Sequence, residues 1–197
     1  MVMPSTPYDA KGLLKSSIRE DNPVIFIEGK KLYGQTGIVP EEEYLVPLGK
    51  AEVRRQGNDI TIVTYSRSMN RVLKVAEALE KDGVSVEVID PRTLKPLDED
   101  AILDSVKKTG RAIIVHEACL TGGFGGEIAA IIAEKAFDHL DAPIKRVAAL
   151  DSPIPFNPRL EDYVLPNEHD IWGATLEIMG MEAREYPGEI VVEAAAR

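Results

Sequence analysis

Apolar positions in this chain follow two spacings in turn. Residues 60–65, 84–89, 112–115 and 144–150 are short runs rich in Val, Ile and Ala, the mark of buried strands. Between them the period lengthens. Val72, Val75, Ala76 and Leu79 fall on one face of a helix that Ser68 is placed to cap and Gly83 to end. Asp98 is placed to cap the next helix, which carries Glu99 and Asp100 in its first turn, Lys107 and Lys108 in its last, and Gly110 as its stop, a charge order that suits the helix dipole. Ile128, Ile131 and Ile132 set a third helix, and Ile171, Trp172, Leu176 and Met179 a last one starting at Asn167 or Glu168. Residues 51–55 read as an edge strand, and the turn signal Gly57-Asn58-Asp59 predicts that they form a hairpin with residues 60–65. Strands alternating with helices of roughly 10 to 15 residues predict a three-layer α/β fold, a mostly parallel sheet with helices on both faces.

The first 50 residues break this rhythm. Thr6, Pro7 and Asp9 have the order of an N-cap, a first-turn proline and an acid at the third helical position. Ala10, Leu13, Leu14 and Ile18 follow at helical spacing, and residues 24–27, after Pro23, read as a short buried strand. A lone helix and strand have no partner to pair with, so the chain is expected to start inside a larger domain, with Val2 and Met3 the tail of a preceding strand. Residues 29–48, with Gly29, Gly34, Gly37, Pro40, Pro47 and acids 41–43, read as a linker. The main domain is expected over residues 49–180, and the charged end, 181–197, as a mobile tail.

Composition narrows the function. A hydrophobic fraction of 44% can supply a core. The formal charge of -10 repels phosphate backbones, which argues against nucleic acid. No apolar run approaches the roughly 20 residues that span a bilayer, and the first ten residues lack the basic-then-apolar order of a signal peptide. The single cysteine, Cys119, allows no internal disulfide and fits a reducing cytosol, so a cytoplasmic protein is expected.

Candidate chemistry concentrates after the third buried run. His116 and Glu117 close that strand, and Gly122, Gly123, Gly125 and Gly126 form the turn into the helix. A histidine beside a carboxylate at a strand end suits proton transfer, but the pattern supplies no nucleophile, and a structural or interface use is favoured. The glycines could bare backbone amides to an anion, or let the helix pack closely on the sheet; the second is favoured, and Ile128 stands where a dinucleotide fingerprint needs its third glycine. Cys119 has no basic cluster near it, and His139 and His169 stand apart, so neither a reactive thiol nor a zinc site is expected. Residues 151–156 set apolar groups between prolines, as a contact surface or as a loop folded onto its own core.

Four stretches, PSTPYDAKGLLKSSIREDNPVIFIE, GKAEVRRQGNDITIVTYS, VSVEVIDPRTLKPLD and HEACLTGGFGGEIAA, resemble in that order the beta subunit of thiamine-diphosphate-dependent 2-oxo acid dehydrogenases, from Pro4 to about Met179. The last stretch is more similar to the branched-chain and acetoin members than to the pyruvate member of human type. The resemblance implies a pyrimidine-binding first domain, of which residues 1–28 would be the end, and a transketolase C-terminal-like domain that makes subunit contacts. It implies an alpha subunit that holds thiamine diphosphate through magnesium, a second beta subunit to complete a heterotetramer, and a lipoyl acyltransferase core that receives the acyl group. The cofactor-activating glutamate and the active-site histidine of the family map onto neither Glu28 nor His116, so no catalytic and no cofactor-binding residue is expected in this chain, and the isolated chain is expected to be inactive. Ser17, Ile18, Glu20 and Asn22 match positions of a structural potassium site in the family. Two alternatives stay open: a stand-alone assembly or regulatory module of the same fold, and the C-terminal domain of a transketolase-like transferase.

Overall fold

The computed structural model describes residues 1–188. Five strands, β1 (Glu52–Arg55), β2 (Ile60–Thr64), β3 (Val86–Asp90), β4 (Ala112–Cys119) and β5 (Lys145–Ala149), form one sheet in the order β1-β3-β2-β4-β5. The last four run parallel, and β1 pairs antiparallel with β3 on the edge. Six helices accompany them: α1 (Pro7–Ile18), α2 (Ser68–Lys81), α3 (Glu99–Thr109), α4 (Gly125–Lys135), α5 (Pro158–Val164) and α6 (Glu168–Met179). The expected three-layer, mostly parallel α/β fold is what forms.

The central strands are buried on both faces, and their alternation assigns each side chain to a layer. Ile60, Ile62, Val86, Val88, Ile113 and Val115 pack with α2 and α6 around Trp172. Val63, Ile89, Ala112 and Ile114 pack with α3 and α4 through Ile102, Val106, Ile128 and Ile132. Each fully buried aliphatic side chain contributes about 1.5–3 kcal/mol, so the two half-cores hold the sheet from both sides.

Several local expectations are corrected. Residues 51–55 and 60–65 do not form a hairpin, because β3 lies between β1 and β2. The Gly57–Asp59 turn passes over the start of β3, where the amides of Asn58 and Asp59 donate to the Ser85 carbonyl; a Cβ on Gly57 would lie 2.1 Å from the Val86 carbonyl carbon. Ser68 opens α2 as its first residue without capping it, and the Asp98 carboxylate accepts from the Ala51 amide (3.0 Å) instead of capping α3. Residues 24–27 are not a buried strand: Ile25 is exposed, and only an isolated parallel bridge joins Phe26 to Val2. On α1, Leu13 is buried but Leu14 and Ile18 face outward. Helix α5 was not expected; Asn157 caps it and Pro158 opens it, but it is only seven residues long.

Residues 1–48 pack on the sheet. Val2 lies between residues 25–27 and 92–95: its amide donates to the Ile25 carbonyl, its carbonyl accepts from Ile27, and the Met3 amide donates to Arg92. Residues 29–48, apart from a 3-10 turn at Lys30–Gly34, fold back over α1, where Tyr44 stacks on Tyr8 at 4.4 Å and Val46 joins Leu13 and Val2 in a small separate core. Of the tail expected to be mobile, residues 181–188 run back along α6, with the Trp172 indole donating to the Arg184 carbonyl (3.0 Å) and the Tyr186 ring 5.6 Å away; residues 189–197 lie outside the described residues.

A buried ion network fastens α1 to the sheet edge. Asp9, fully buried, accepts from the Thr6 hydroxyl (2.7 Å), pairs with Arg54 of β1 and reaches Arg92 at 3.4 Å. Arg54 also meets Asp90 (3.4 Å) and Glu52 (3.3 Å), and Arg92 meets Glu52 at 2.7 Å. Arg92 is held at φ 58° while its guanidinium donates to the carbonyls of Lys50 and Ala51. Burial pushes the Asp90 carboxyl above the usual carboxylate range, against the pull of Arg54 and Arg92. Removing one member of such a network leaves charges buried without partners. Asp9→Asn is therefore expected to cost about 3 kcal/mol in urea unfolding, whereas Glu43→Gln, in the exposed pair with Arg19, changes stability by under about 1 kcal/mol.

Candidate functional site

In a parallel sheet of this kind, sites form at the carboxyl ends of strands where the winding reverses. Here the chain leaves β2 through α2 to β3 on one side, then returns through α3 to β4 on the other. The switch point lies between the ends of β2 and β4, which carry Tyr65, Ser66 and Arg67 on one side and His116, Glu117 and Ala118 on the other. Ser66 stands at φ 56°, an uncommon backbone state for a side-chain-bearing residue, and β4 changes register between His116 and Cys119.

His116 is fully buried. Its ring lies parallel to Tyr65 with centroids 6.2 Å apart, and neither ring nitrogen has a well-aligned hydrogen bond. The glycine turn closes over it: a Cβ on Gly125 would lie 2.2 Å from Nε2, and one on Gly123 2.7 Å from Cε1. Side chains are excluded there because the imidazole occupies their space. Burial pushes the His116 pKa down; the nearby Ala118 backbone opposes this and Arg146 adds to it, so the ring is neutral at neutral pH.

Glu117 turns away from His116 and accepts from Arg67 at 3.0 Å. Arg67 also reaches Glu161 of α5 (3.6 Å), which pairs with Lys31 of the 3-10 turn (2.8 Å). Beside it, Arg71 binds Asp162 at 2.9 Å, approaches Glu168 at 3.8 Å and donates to the Pro166 carbonyl. This second network ties α2 to the end of β4, to α5 and α6, and to the N-terminal segment. Nothing local in the sequence announces it, since its partners are drawn together from distant segments.

The four positions matched to a potassium site surround the C-terminus of α1. The Ser17 hydroxyl donates to the Leu13 carbonyl (2.7 Å), the Ser17 carbonyl accepts from Glu20 (3.4 Å), Asn22 donates to the Glu20 carboxylate (2.9 Å), and the Ile18 side chain is exposed. These positions carry helix-end carbonyls, a carboxylate and a side-chain amide, all of them oxygen donors. Among the described residues no three His, Cys, Asp or Glu side chains are grouped to hold a metal. His139 lies in a 3-10 turn, His169 packs edge-on against Tyr186, and Cys119 is exposed.

The 151–156 loop presents its apolar groups outward, with Phe156 96% exposed and Ile154 61%. Asp151 anchors its start by accepting from the Thr121 hydroxyl (2.6 Å) and amide (2.9 Å); the hydroxyl bond first, and then the amide, lower its pKa. No helix among the described residues is long and apolar enough to cross a membrane.

These features define a doubly wound α/β domain whose strand-end crevice is narrowed by its own glycine turn and N-terminal segment. Residues 49–171 match the family described as transketolase, C-terminal domain, and the chain belongs to it. The chain is 49% identical over 182 residues to the acetoin:2,6-dichlorophenolindophenol oxidoreductase subunit beta of Bacillus subtilis, covering 92% of this chain and 53% of that one. It is 47% identical over 180 residues to the 2-oxoisovalerate dehydrogenase subunit beta of the same organism (90% and 55% covered), and 52% identical over 172 residues to a pyruvate dehydrogenase E1 component subunit beta of Staphylococcus aureus (87% and 53%). The chain thus spans about half the length of these curated relatives. Its fold is similar to that of a solved chain titled split gene transketolase, inactive beta4 tetramer, with a TM-score of 0.76, 22% identity and coverage of 92% of this chain and 57% of the other.

The buried neutral His116 sets a pH dependence. The unfolded chain takes up a proton near the ordinary value of 6.5, which the folded state resists, so stability is full above that value and lost as the pH falls through it. Unfolding free energy is expected to fall between about pH 7.5 and 5.5, and this slope is expected to shrink in His116→Phe, as measured by urea titration at each pH.

Proposed function

We propose that this chain provides the transketolase C-terminal-like part of a beta subunit in the decarboxylating component of a 2-oxo acid dehydrogenase, and that its work there is assembly. The observation that carries this reading is the roughly 50% identity, along nine-tenths of the chain, to beta subunits of acetoin, 2-oxoisovalerate and pyruvate enzymes. On this reading residues 1–28 close a pyrimidine-binding domain, 29–48 link it to the domain of residues 49–180, and 181–197 form a tail. The enzyme's partners are an alpha subunit, a second beta subunit and a lipoyl acyltransferase core, in a bacterial-type cytoplasmic complex that does not engage nucleic acid or membrane.

Thiamine diphosphate, held through magnesium, would supply the stabilised carbanion that decarboxylation needs. The residues described here do not fit that group. The His116 imidazole and the glycine turn over it leave at the strand ends only a pocket of about 210 Å³, lined by apolar side chains and the Glu117 carboxylate, which would repel a diphosphate. No step of the reaction is therefore assigned to these side chains. Their role is to shape surfaces: the two ion networks fix the relative placement of α1, α2, α5 and α6, and the outward loop with Ile154 and Phe156 offers apolar area to a neighbouring subunit.

The test is to assay the purified chain with thiamine diphosphate, magnesium and pyruvate, 2-oxoisovalerate or acetoin, using 2,6-dichlorophenolindophenol as electron acceptor. It is then mixed with the alpha subunit of a matched enzyme and analysed by sedimentation. No turnover alone, together with self-association or capture of the alpha subunit, is expected. Turnover by the chain alone, or a strict monomer with no affinity for the alpha subunit, contradicts the proposal.

We also propose that Ser17, Ile18, Glu20 and Asn22 hold potassium through main-chain and side-chain oxygens. Binding to the folded state raises the melting temperature. Replacing sodium chloride by potassium chloride at constant ionic strength is expected to raise it by about 2–4 °C, with the gain lost in Asn22→Ala. Equal melting temperatures in the two salts contradict the site.

A further inference from the structure

The packing of residues 1–27 on the strand ends leaves a cavity of about 210 Å³ at the switch point, between the ends of β2 and β4. Met3, Ile27, Leu94 and Phe124 give it apolar walls. Its polar groups are Tyr65, Ser66 and Glu117. The Ser66 hydroxyl is buried and has no hydrogen-bond partner, on a residue already held at φ 56°. The Tyr65 hydroxyl makes no hydrogen bond to a described residue either, though it keeps access to solvent. A buried hydroxyl without a partner, as at Ser66, is unusual, because buried polar groups are nearly always paired.

We propose that this cavity binds a small neutral molecule with an apolar body and one acceptor oxygen, a short branched or cyclic alcohol or ketone. An apolar cavity of about 150 Å³ already takes up benzene, so this one admits roughly six to eight heavy atoms. The ligand oxygen would accept from Tyr65, which burial pushes up to about 12 and so keeps protonated as a donor. Charge decides against anions. Glu117 is the charged group of the lining, and its partner Arg67 is engaged by Glu117 and Glu161, so a carboxylate would be desolvated beside another carboxylate. The site lies on the described chain itself and does not depend on the dehydrogenase reading.

Cyclohexanol is the probe, titrated into the isotope-labelled full chain and followed by amide shifts, with cyclohexanecarboxylate as the charge control. Saturable shifts are expected around residues 65, 66, 94, 118 and 124, with a dissociation constant of about 1 mM. Tyr65→Phe, which breaks no internal hydrogen bond and should fold normally, is expected to weaken binding about three- to tenfold. Leu94→Phe, which fills the cavity, is expected to abolish binding; should it fail to fold, Tyr65→Phe decides. Shifts that do not saturate, unchanged affinity in Tyr65→Phe, or carboxylate binding as tight as the alcohol's would overturn the proposal.

Discussion

Asp9 is the point on which this molecule turns. It is a fully buried carboxylate shared between two arginines, Arg54 from the edge strand and Arg92 from just beyond β3. Taken from water alone, it would cost several kcal/mol; set among two guanidiniums and the Thr6 hydroxyl, that cost is offset. The geometry is demanding, because Arg92 must take up a left-handed backbone to reach Asp9, Glu52 and two carbonyls at once. Such a cluster contributes less to net stability than an apolar core of the same volume. What it contributes is placement: it tolerates one arrangement of α1 against β1 and β3, and it penalises others heavily.

Placement of α1 settles what the strand ends can do. With Val2 held between residues 25–27 and 92–95, Met3 and Ile27 come to lie over Tyr65 and Leu94, and the crevice of an open α/β sheet narrows to a small, partly open pocket. The glycine turn narrows it from the other side by lying on His116. The strand ends of a fold type that often cradles a nucleotide are thereby largely taken up by the chain's own side chains.

Much of this was legible in the sequence, for a physical reason. Strands buried on both faces are rich in apolar residues, and β2, β3 and β4 are, although β3 also buries Glu87 and Asp90, which pair with Lys108 and Arg54. Helix ends declare themselves through local hydrogen bonds, so Thr6 could be read as a cap and the last helix placed at Asn167 or Glu168, where Asn167 forms a capping box with Asp170; Ser68 and Asp98, read as caps on residue type alone, make no such bond. Pairing partners could not be read. The turn at Gly57 looks like a hairpin because hairpins are the local solution, yet β1 pairs with a strand 33 to 36 positions further on, as the pairing of Arg55 with Val88 and Val53 with Ile89 shows. The ion networks were hidden for the same reason: Asp9 lies 45 positions from Arg54 and 83 from Arg92, and charges read from sequence look like solvated surface until the fold brings them together. The glycine turn was correctly visible as a close-packing device, but not the imidazole beneath it.

The central claim is that the ion cluster makes α1 and the sheet one cooperative unit. Native-state hydrogen exchange tests this most directly, since amides that open only on global unfolding share one exchange free energy. The account predicts that the amides of residues 11–17 in α1 exchange with the same free energy as those of β3. Exchange of α1 through a low-energy local opening, with β3 still protected, would contradict it.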